Sequence, residues 1–253
     1  MSDLMPATNA RPLPAPTTVA LSDDVPDLET LFLFAREAEL RVRSLVMTIE
    51  EHDWNAKGEA IKSHDIALRH PGQARVRTRR SLDPLSPDYD VWIGDGERIR
   101  TYSAIDKRAT NRLARPAVVP PASQDLPRYA RTYESLTALP AGSVADAFIH
   151  PHGLFRNVLV TGPLALLGTR DVHGREAVMV RSEHPRSAMV LTDRPDRRVD
   201  VGIDRATGFL IYLSETIGDT PTHLAEVTQL DLDTDIPDSA FELHLSADVR
   251  MLY

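Results

Sequence analysis

The period of the hydrophobic pattern changes once, close to the start of the chain. Within residues 26–44, Leu28, Leu31 and Ala35 recur at helical spacing, which predicts an amphipathic helix. From Leu45 onward apolar and polar residues alternate, as in SLVMTIEEHDW, and this period of two is typical of a β-strand with one covered face. The folded part of the chain is therefore predicted to begin with a helix that leads directly into a strand.

The alternating pattern then recurs along most of the chain. The strand-like segments are 61–69, 73–79, 90–93, 98–103, 164–172, 176–184, 187–193, 197–204, 208–216 and 223–233, followed by a last strand-like piece at 241–245. The Asp95-Gly96 pair is a strong hairpin signal and predicts that 90–93 pairs with 98–103.

Helical character returns only at 143–160, with a break at Pro151 and Gly153. Strands that follow one another without alternating helices favour an antiparallel sheet and exclude a doubly wound parallel fold. The predicted fold class is α+β: a strongly curved antiparallel β-sheet or partial barrel, with helices covering its concave face.

Two stretches fall outside this pattern. Residues 1–24 are rich in Pro, Ala, Thr and Asn and bury too little apolar area to offset their ordering entropy, so they are predicted to be disordered. Residues 109–142 lose all periodicity and are too long for a hairpin loop, which predicts an insertion or a lid-like segment. Residues 25–253 are expected to form a single domain that contains this insertion.

Composition narrows the classes of partner. The chain has 253 residues and a formal charge of −8, and nucleic acid is not expected as a partner because phosphate binding needs a basic surface. It has no cysteine, which excludes disulfides and thiolate chemistry. No apolar run is long enough for a membrane span, and no signal peptide is seen, so the chain as written is expected to be cytoplasmic, unless a leader has been removed.

Candidate chemistry is sparse, and we expect no catalytic residue, no cofactor and no metal. His150 and His152 are the strongest metal candidates, but no spacing points to a third ligand, and a polar helix break at the surface is the favoured interpretation. Asp231, Asp233 and Asp235 alternate on one strand face, where a solvated face is favoured over a calcium site.

A second charged pattern is basic. Arg75, Arg77 and Arg79 alternate on one strand face, with Arg80 and Arg69 nearby. The strip is expected either to meet an anionic or acidic partner or, as we favour, to be a charged outer face that discourages aggregation of the sheet.

Several motifs occur in an order that resembles a known superfamily. They are AREAELRVRSLVMTIEE, in which a helix runs into a strand, HPGQARVRT at 70–78, the hairpin VWIGDGERIRTYSAIDKRATN at 91–111, VHGREAVMVRSE at 172–183, VDVGIDRATGFLIYLSE at 199–215 and IPDSAF at 236–241. Together they resemble the LolA-like lipoprotein-carrier superfamily, a fold shared with RseB-type sensors and mycobacterial lipid carriers. The resemblance covers residues 27 to 245 and implies an open antiparallel half-barrel of about eleven strands, with helices at its mouth and no shared catalytic residues.

The resemblance also implies a function, namely the binding of acyl chains or lipoproteins in an apolar cavity. The residues expected to line such a cavity are Met47, Ile49, Leu68, Trp92, Tyr102, Phe148, Phe155, Met179, Ile211 and Leu213. If the helices fill the concavity, these residues are simply core. If the helices leave a gap, the residues surround an apolar pocket that suits a lipid or polyketide-like ligand.

Three functions are compatible with these patterns. The first is a non-enzymatic binding protein for a hydrophobic small molecule, a lipid or a lipidated protein. The second is a regulatory module of the RseB type that binds a protein partner through a sheet edge or through 109–142. The third is a cyclase that shapes a nonpolar substrate by confinement. The first is the function that we favour from the sequence.

Overall fold

The computed structural model describes residues 16, 20–22, 24–81, 83, 85–114, 135–185 and 194–252. The strands in these ranges are β1 Ser44–Asn55, β2 Gly58–Arg69, β3 Gln73–Arg79, β4 Tyr89–Gly94, β5 Arg98–Ser103, β6 Arg108–Leu113, β7 Leu164–Val172, β8 Arg175–Glu183, β9 Arg197–Asp204, β10 Leu210–Ile217, β11 Thr220–Leu232 and β12 Arg250–Leu252. The α-helices are α1 Leu28–Arg36, α2 Val144–Ile149 and α3 His152–Asn157. Short 3-10 helices occupy Ala38–Arg41, Leu159–Thr161 and Asp238–Phe241.

All twelve strands belong to one sheet with the order β12-β6-β5-β4-β3-β2-β1-β11-β10-β9-β8-β7. Every neighbouring pair is antiparallel except β12 and β6, which are parallel. The sheet is open and curved, and this confirms the predicted α+β half-barrel, with one strand more than the resemblance implied. The predicted hairpin is also confirmed, with Trp92 of β4 opposite Thr101 of β5.

The N-terminal helix is shorter than the pattern predicted. Asp27 caps α1 by accepting the Thr30 N–H at 2.9 Å, and the helix ends at Arg36 rather than at residue 44. A 3-10 turn follows, and Val42 already has extended backbone angles. The chain has to leave the helix here because Leu45 is the first fully buried residue of β1.

The predicted last strand at 241–245 is wrong. Phe241 ends a 3-10 helix, and its side chain is buried with Val91, Ile93 and Ile236 against the convex face of the sheet. Since this contact holds the segment flat against the sheet, the final strand forms only later, at β12, which pairs with β6.

The three α-helices pack into the concave face. Phe32 of α1 stacks on Phe155 of α3 with ring centroids 4.3 Å apart, and both side chains are fully buried. They join Phe148 of α2 in one apolar core with the inward residues of β1, β2 and β8 to β11. The helices thus fill one half of the concavity, and none of those in the described ranges is long and apolar enough to cross a bilayer.

Several predicted segments lie wholly or partly outside the described residues. They are most of 1–24, the strand at 187–193, and residues 115–134 of the predicted insertion. The beginning of that insertion is β6, and its end, from residue 135 onward, leads into α2.

Candidate functional site

The other half of the concave face holds a cleft of about 560 Å³. This volume falls in the usual range of ligand sites, about 300–1,000 Å³. The floor of the cleft is formed by β3 to β6, and Pro140, Ser143 and Leu252 contribute to its lining. Ser143 also caps the N-terminus of α2 by accepting the Asp146 N–H at 3.1 Å. The helical cap, which consists of α1, α2 and α3, therefore reaches the wall of the cleft.

Strand register places the side chains of the floor in two parallel rows. Cross-strand partners share one face of a sheet, and residues two apart on a strand share it too. The Trp92 row consists of Val76, Trp92, Thr101 and Thr110, which are consecutive partners on β3, β4, β5 and β6. The Asp90 row, next to it, consists of Thr78, Asp90, Ser103 and Arg108 on the same four strands. All eight residues line the cleft.

The Trp92 row is the apolar side of the cleft. The indole of Trp92 lies across Gly94, where an added Cβ would come within 2.6 Å of the ring, so a glycine is needed there to seat the indole. The hydroxyls of Thr101 and Thr110 bond to each other at 2.6 Å, which satisfies one hydroxyl hydrogen within the row. The row therefore presents a mainly apolar surface whose two hydroxyl groups are already hydrogen-bonded to each other.

The Asp90 row is polar and charged. Arg80 donates to Asp90 and, at 3.1 Å, to Asp88, so one guanidinium serves two carboxylates. The Ser103 hydroxyl donates to Asp106 at 3.4 Å. The two rows together make a cleft that is apolar along one side and polar along the other.

His64 of β2 is the cross-strand partner of Thr78 and extends the Asp90 row onto β2. Its Nδ1 lies 3.0 Å from the Thr78 hydroxyl, and its Nε2 lies 2.9 Å from a carboxylate oxygen of Glu51. Burial acts to raise the pKa of Glu51, but the hydrogen bond from His64 and the charges of His64 and Lys62 outweigh it, so the pKa lies below its usual value. Glu51 is therefore an anion that accepts the proton on Nε2 of His64.

Beyond Glu51 the network continues as a set of paired charges. Lys62 Nζ lies 2.6 Å from Asp53 and 3.2 Å from Glu51, and His223 Nδ1 lies 2.9 Å from Asp53. Among the described residues, Glu51, Asp53 and His223 form one group whose donor atoms come within 4.8 Å of one another, close enough to hold a metal ion. The Lys62 ammonium already lies between the two carboxylates and supplies the positive charge that such a cluster needs.

His150 is buried, which overturns its interpretation as part of a surface helix break. Its Nδ1 lies 3.0 Å from Asp146, and its Nε2 lies 3.3 Å from Glu39, a carboxylate with no exposed surface. Burial acts to lower the pKa of His150, but the hydrogen bonds to Asp146 and Glu39 outweigh it and raise the pKa to about 9. Both ring nitrogens face carboxylates, so His150 is the cation of a buried ion pair.

His70, in the β2–β3 turn, packs beside this ion pair in its neutral form. Thr137 accepts the Gly72 N–H at 2.8 Å, and its hydroxyl lies 2.8 Å from Nδ1 of His70. Burial lowers the pKa of His70 to about 4, against the raising effect of Glu39. The group thus holds the helical cap, the segment before α2 and the β2–β3 turn together.

The ten residues predicted to line a ligand cavity are divided between the apolar core and the lining of the cleft. Eight of them are at most 7% exposed and belong to the apolar core: Met47, Ile49, Leu68, Phe148, Phe155, Met179, Ile211 and Leu213. Trp92 and Tyr102 line the cleft. The ring of Tyr102 packs with Tyr89 on the convex side, and register places Met179 on that side as well, opposite Gly202.

The basic strip on β3 contacts the chain itself. Arg75 donates to the carbonyls of Ala240 and Glu242, at 3.1 and 3.3 Å, and Arg69 donates to the carbonyl of Ile236 at 3.0 Å. The strip therefore anchors the C-terminal segment to the convex face. Of the acidic strip, Asp233 accepts the Arg43 N–H at 2.7 Å, and Asp231 and Asp235 are exposed.

The polar residues of the cleft were not among those predicted from the sequence. Thr78, Ser103 and Arg108 fall within the motifs at 70–78 and 91–111, but no feature of those motifs marks them or Asp90 as ligand-binding residues, and their spacing along the chain is irregular. Part of the cleft could have been predicted from the sequence, because the Asp95-Gly96 hairpin fixes which residues of β4 and β5 face each other. The contribution of β6 depends on a third strand whose pairing the pattern did not predict.

These features define a class of protein: an open antiparallel half-barrel in which helices fill one half of the concave face and leave a two-sided cleft in the other. The sequence matches no protein-family model and no curated protein. Among solved structures, the chain is similar to MucB in the Pseudomonas aeruginosa MucA/MucB complex, at 17% identity and a TM-score of 0.47 over 85% of this chain and 60% of that one. The chain thus spans about 60% of the length of the MucB chains that it matches.

Two further matches cover nearly the whole of the other protein. An uncharacterized conserved protein from Thermus thermophilus matches at 9% identity and a TM-score of 0.49, over 89% of this chain and 99% of that one. A LolA-superfamily protein from Nitrosomonas europaea matches at 12% identity and a TM-score of 0.34, over 85% and 97%. These similarities concern the fold, and the ligand and partner are argued below from the cleft itself.

Proposed function

We propose that the protein is a non-enzymatic binding protein that holds the apolar part of a small molecule in the cleft over β3 to β6. The observation that supports this most directly is the 560 Å³ cleft beside a tightly filled core. A sheet whose helices covered all of its concave face would need no such opening. The Trp92 row supplies an apolar surface, and the Asp90 row supplies a few polar groups that can orient a ligand.

Binding of a neutral apolar fluorophore, N-phenyl-1-naphthylamine, tests this proposal. The variant Thr110→Phe places a ring in the cleft and is expected to weaken binding about tenfold, because the occupied volume has to be cleared. Asn111→Phe is the matched control, since Asn111 is the next residue of β6, is exposed and points to the opposite face. The proposal is contradicted if the wild type does not bind the probe, or if the two variants bind it equally well.

The lipid chain of a lipidated protein is a second candidate occupant. Exposed apolar side chains lie on the two strands at this edge of the sheet: Leu113 is 68% exposed, Met251 38% and Leu252 36%. Because Leu252 also lines the cleft, the edge offers an apolar approach to it. An N-palmitoylated peptide is expected to displace the fluorophore, whereas the same peptide without the palmitoyl group is not.

A further inference from the structure

Three of the four residues on the Asp90 row, Thr78, Asp90 and Ser103, present hydrogen-bond acceptors to the cleft, and the fourth, the guanidinium of Arg108, lies at the end of the row on β6. Asp90 is a carboxylate and can only accept. Ser103 gives its own hydrogen to Asp106, which leaves its lone pairs for a ligand. Neither residue has a donor left to offer to a molecule in the cleft.

Thr78 also presents an acceptor to the cleft. Its hydroxyl lies 3.0 Å from Nδ1 of His64, and the hydroxyl oxygen, which has two lone pairs, keeps at least one of them for a ligand whichever of the two atoms is the donor. Three consecutive positions on the row can therefore accept hydrogen bonds from a ligand.

The net charge of the cleft also favours a ligand that carries hydrogen-bond donors and a positive charge. Its charged lining residues are the carboxylates Asp90 and Asp106 and the guanidinium of Arg108. Arg80, which pairs with Asp90, does not change the sign of this net charge, because its positive charge is offset by the carboxylate of Asp88, with which it also pairs. The excess charge around the Asp90 row is negative, and the indole face of Trp92 on the neighbouring row attracts cations as well.

We propose that the molecule held in the cleft is an amphiphile whose polar end is a primary ammonium group, seated on Thr78, Asp90 and Ser103 with its apolar chain along the Trp92 row. A primary ammonium offers three donors and no acceptor, which matches a row of three acceptors. A carboxylate head group would meet acceptors and negative charge there. This inference rests on the proposed binding function and adds the chemical class of the ligand.

Three probes of equal chain length test the head group: decylamine, decanol and decanoate, titrated calorimetrically at pH 7.5 below their micelle concentrations. The amine is a cation at this pH. The wild type is expected to bind decylamine most tightly and decanoate most weakly. Asp90→Asn is expected to reduce the preference for decylamine over decanol about tenfold, because a charge-assisted hydrogen bond is lost.

Asp65→Asn is the matched control. Asp65 lies on the opposite face of the sheet, pairs with Arg79 and does not line the cleft, so its variant should keep the preference of the wild type within about twofold. Thr78→Val, which keeps the shape and removes the acceptor, should also reduce the preference for the amine. Circular dichroism and thermal unfolding establish that each variant is folded.

The outcomes separate the two proposals. Binding of all three probes with equal affinity, or tightest binding of decanoate, overturns the ammonium assignment and supports the binding function. The ammonium assignment is also overturned if Asp90→Asn and Asp65→Asn have the same effect. Failure of the wild type to bind any of the three probes overturns the binding function and the assignment with it.

Discussion

Asp204 shows how a single buried side chain fixes a turn. It is 1% exposed and accepts two hydrogen bonds from Arg175, at 3.1 and 2.9 Å, and one from the Thr207 N–H at 3.0 Å. The turn then places Gly208 against α1 with a φ of +85°. The VDVGIDRATG motif therefore has a structural role: it joins the β9–β10 turn to the first helix.

Gly208→Ala is expected to lower the free energy of unfolding by about 3 kcal/mol, because of the left-handed backbone and of a clash. An added Cβ would lie 2.8 Å from the carbonyl oxygen of Phe34. Gly142→Ala is the control, since Gly142 has a φ of +71° with no atom within 4 Å of the added Cβ, and should cost about 1 kcal/mol. Urea unfolding measures both, and equal losses would exclude the contact with α1 as a cause.

At the scale of elements, the buried charges around His150 hold the helical cap to the sheet. Glu39 follows α1, Asp146 and His150 belong to α2 and its cap, and His70 lies between β2 and β3. Glu39 also accepts the Leu136 N–H at 3.0 Å, which ties in the segment that precedes α2. The cap is therefore fastened by ionic contacts in addition to the Phe32–Phe155 stack.

This arrangement predicts a dependence of stability on alkaline pH. The pKa of His150 rises from 6.5 to about 9 on folding, so its contribution is complete below pH 6.5 and is lost as the pH rises through 9. The wild type is expected to lose stability over this range, and His150→Gln is expected to remove that part of the slope. Urea unfolding at a series of pH values measures it, and equal slopes for the two proteins would contradict the assigned cation.

At the scale of the whole molecule, the filled core and the cleft are located in different halves of one concave face. Phe155 is fully buried in the filled half, and Thr110 lines the cleft in the other. A half-barrel is suited to this division because its sheet is open, and a cap smaller than the sheet necessarily leaves part of the concave face uncovered.

The division predicts opposite effects of two substitutions. Phe155→Ala is expected to lower the free energy of unfolding by about 3–5 kcal/mol, because it leaves a cavity in the core, while the folded protein still binds the fluorophore. Thr110→Phe is expected to change stability by less than about 1 kcal/mol and to weaken binding of the fluorophore about tenfold. Chemical unfolding and probe titration measure both properties, and loss of both in one variant would contradict the separation.

Much of the fold was predictable because hydrophobic alternation is a local property. The hairpin at Asp95-Gly96 and the strands on either side of it were read from adjacent residues alone. The strand predicted at 241–245 was wrong because Phe241 is buried by Val91 and Ile93, which are distant in sequence. The extent of the first helix was overestimated for a related reason, since entry into β1 ends it.

The sequence by itself determined the strands, most of their turns and the antiparallel character of the sheet, because each depends on the side chains of one segment or of two neighbouring ones. Only the tertiary structure decided which half of the concave face is filled, where Met179 and Tyr102 point, and that His150 is a buried cation. Those properties depend on volumes and charges that separate segments bring together. The cleft exists because α1, α2 and α3 cover the concave face only in part, and no local pattern records how far a cap extends.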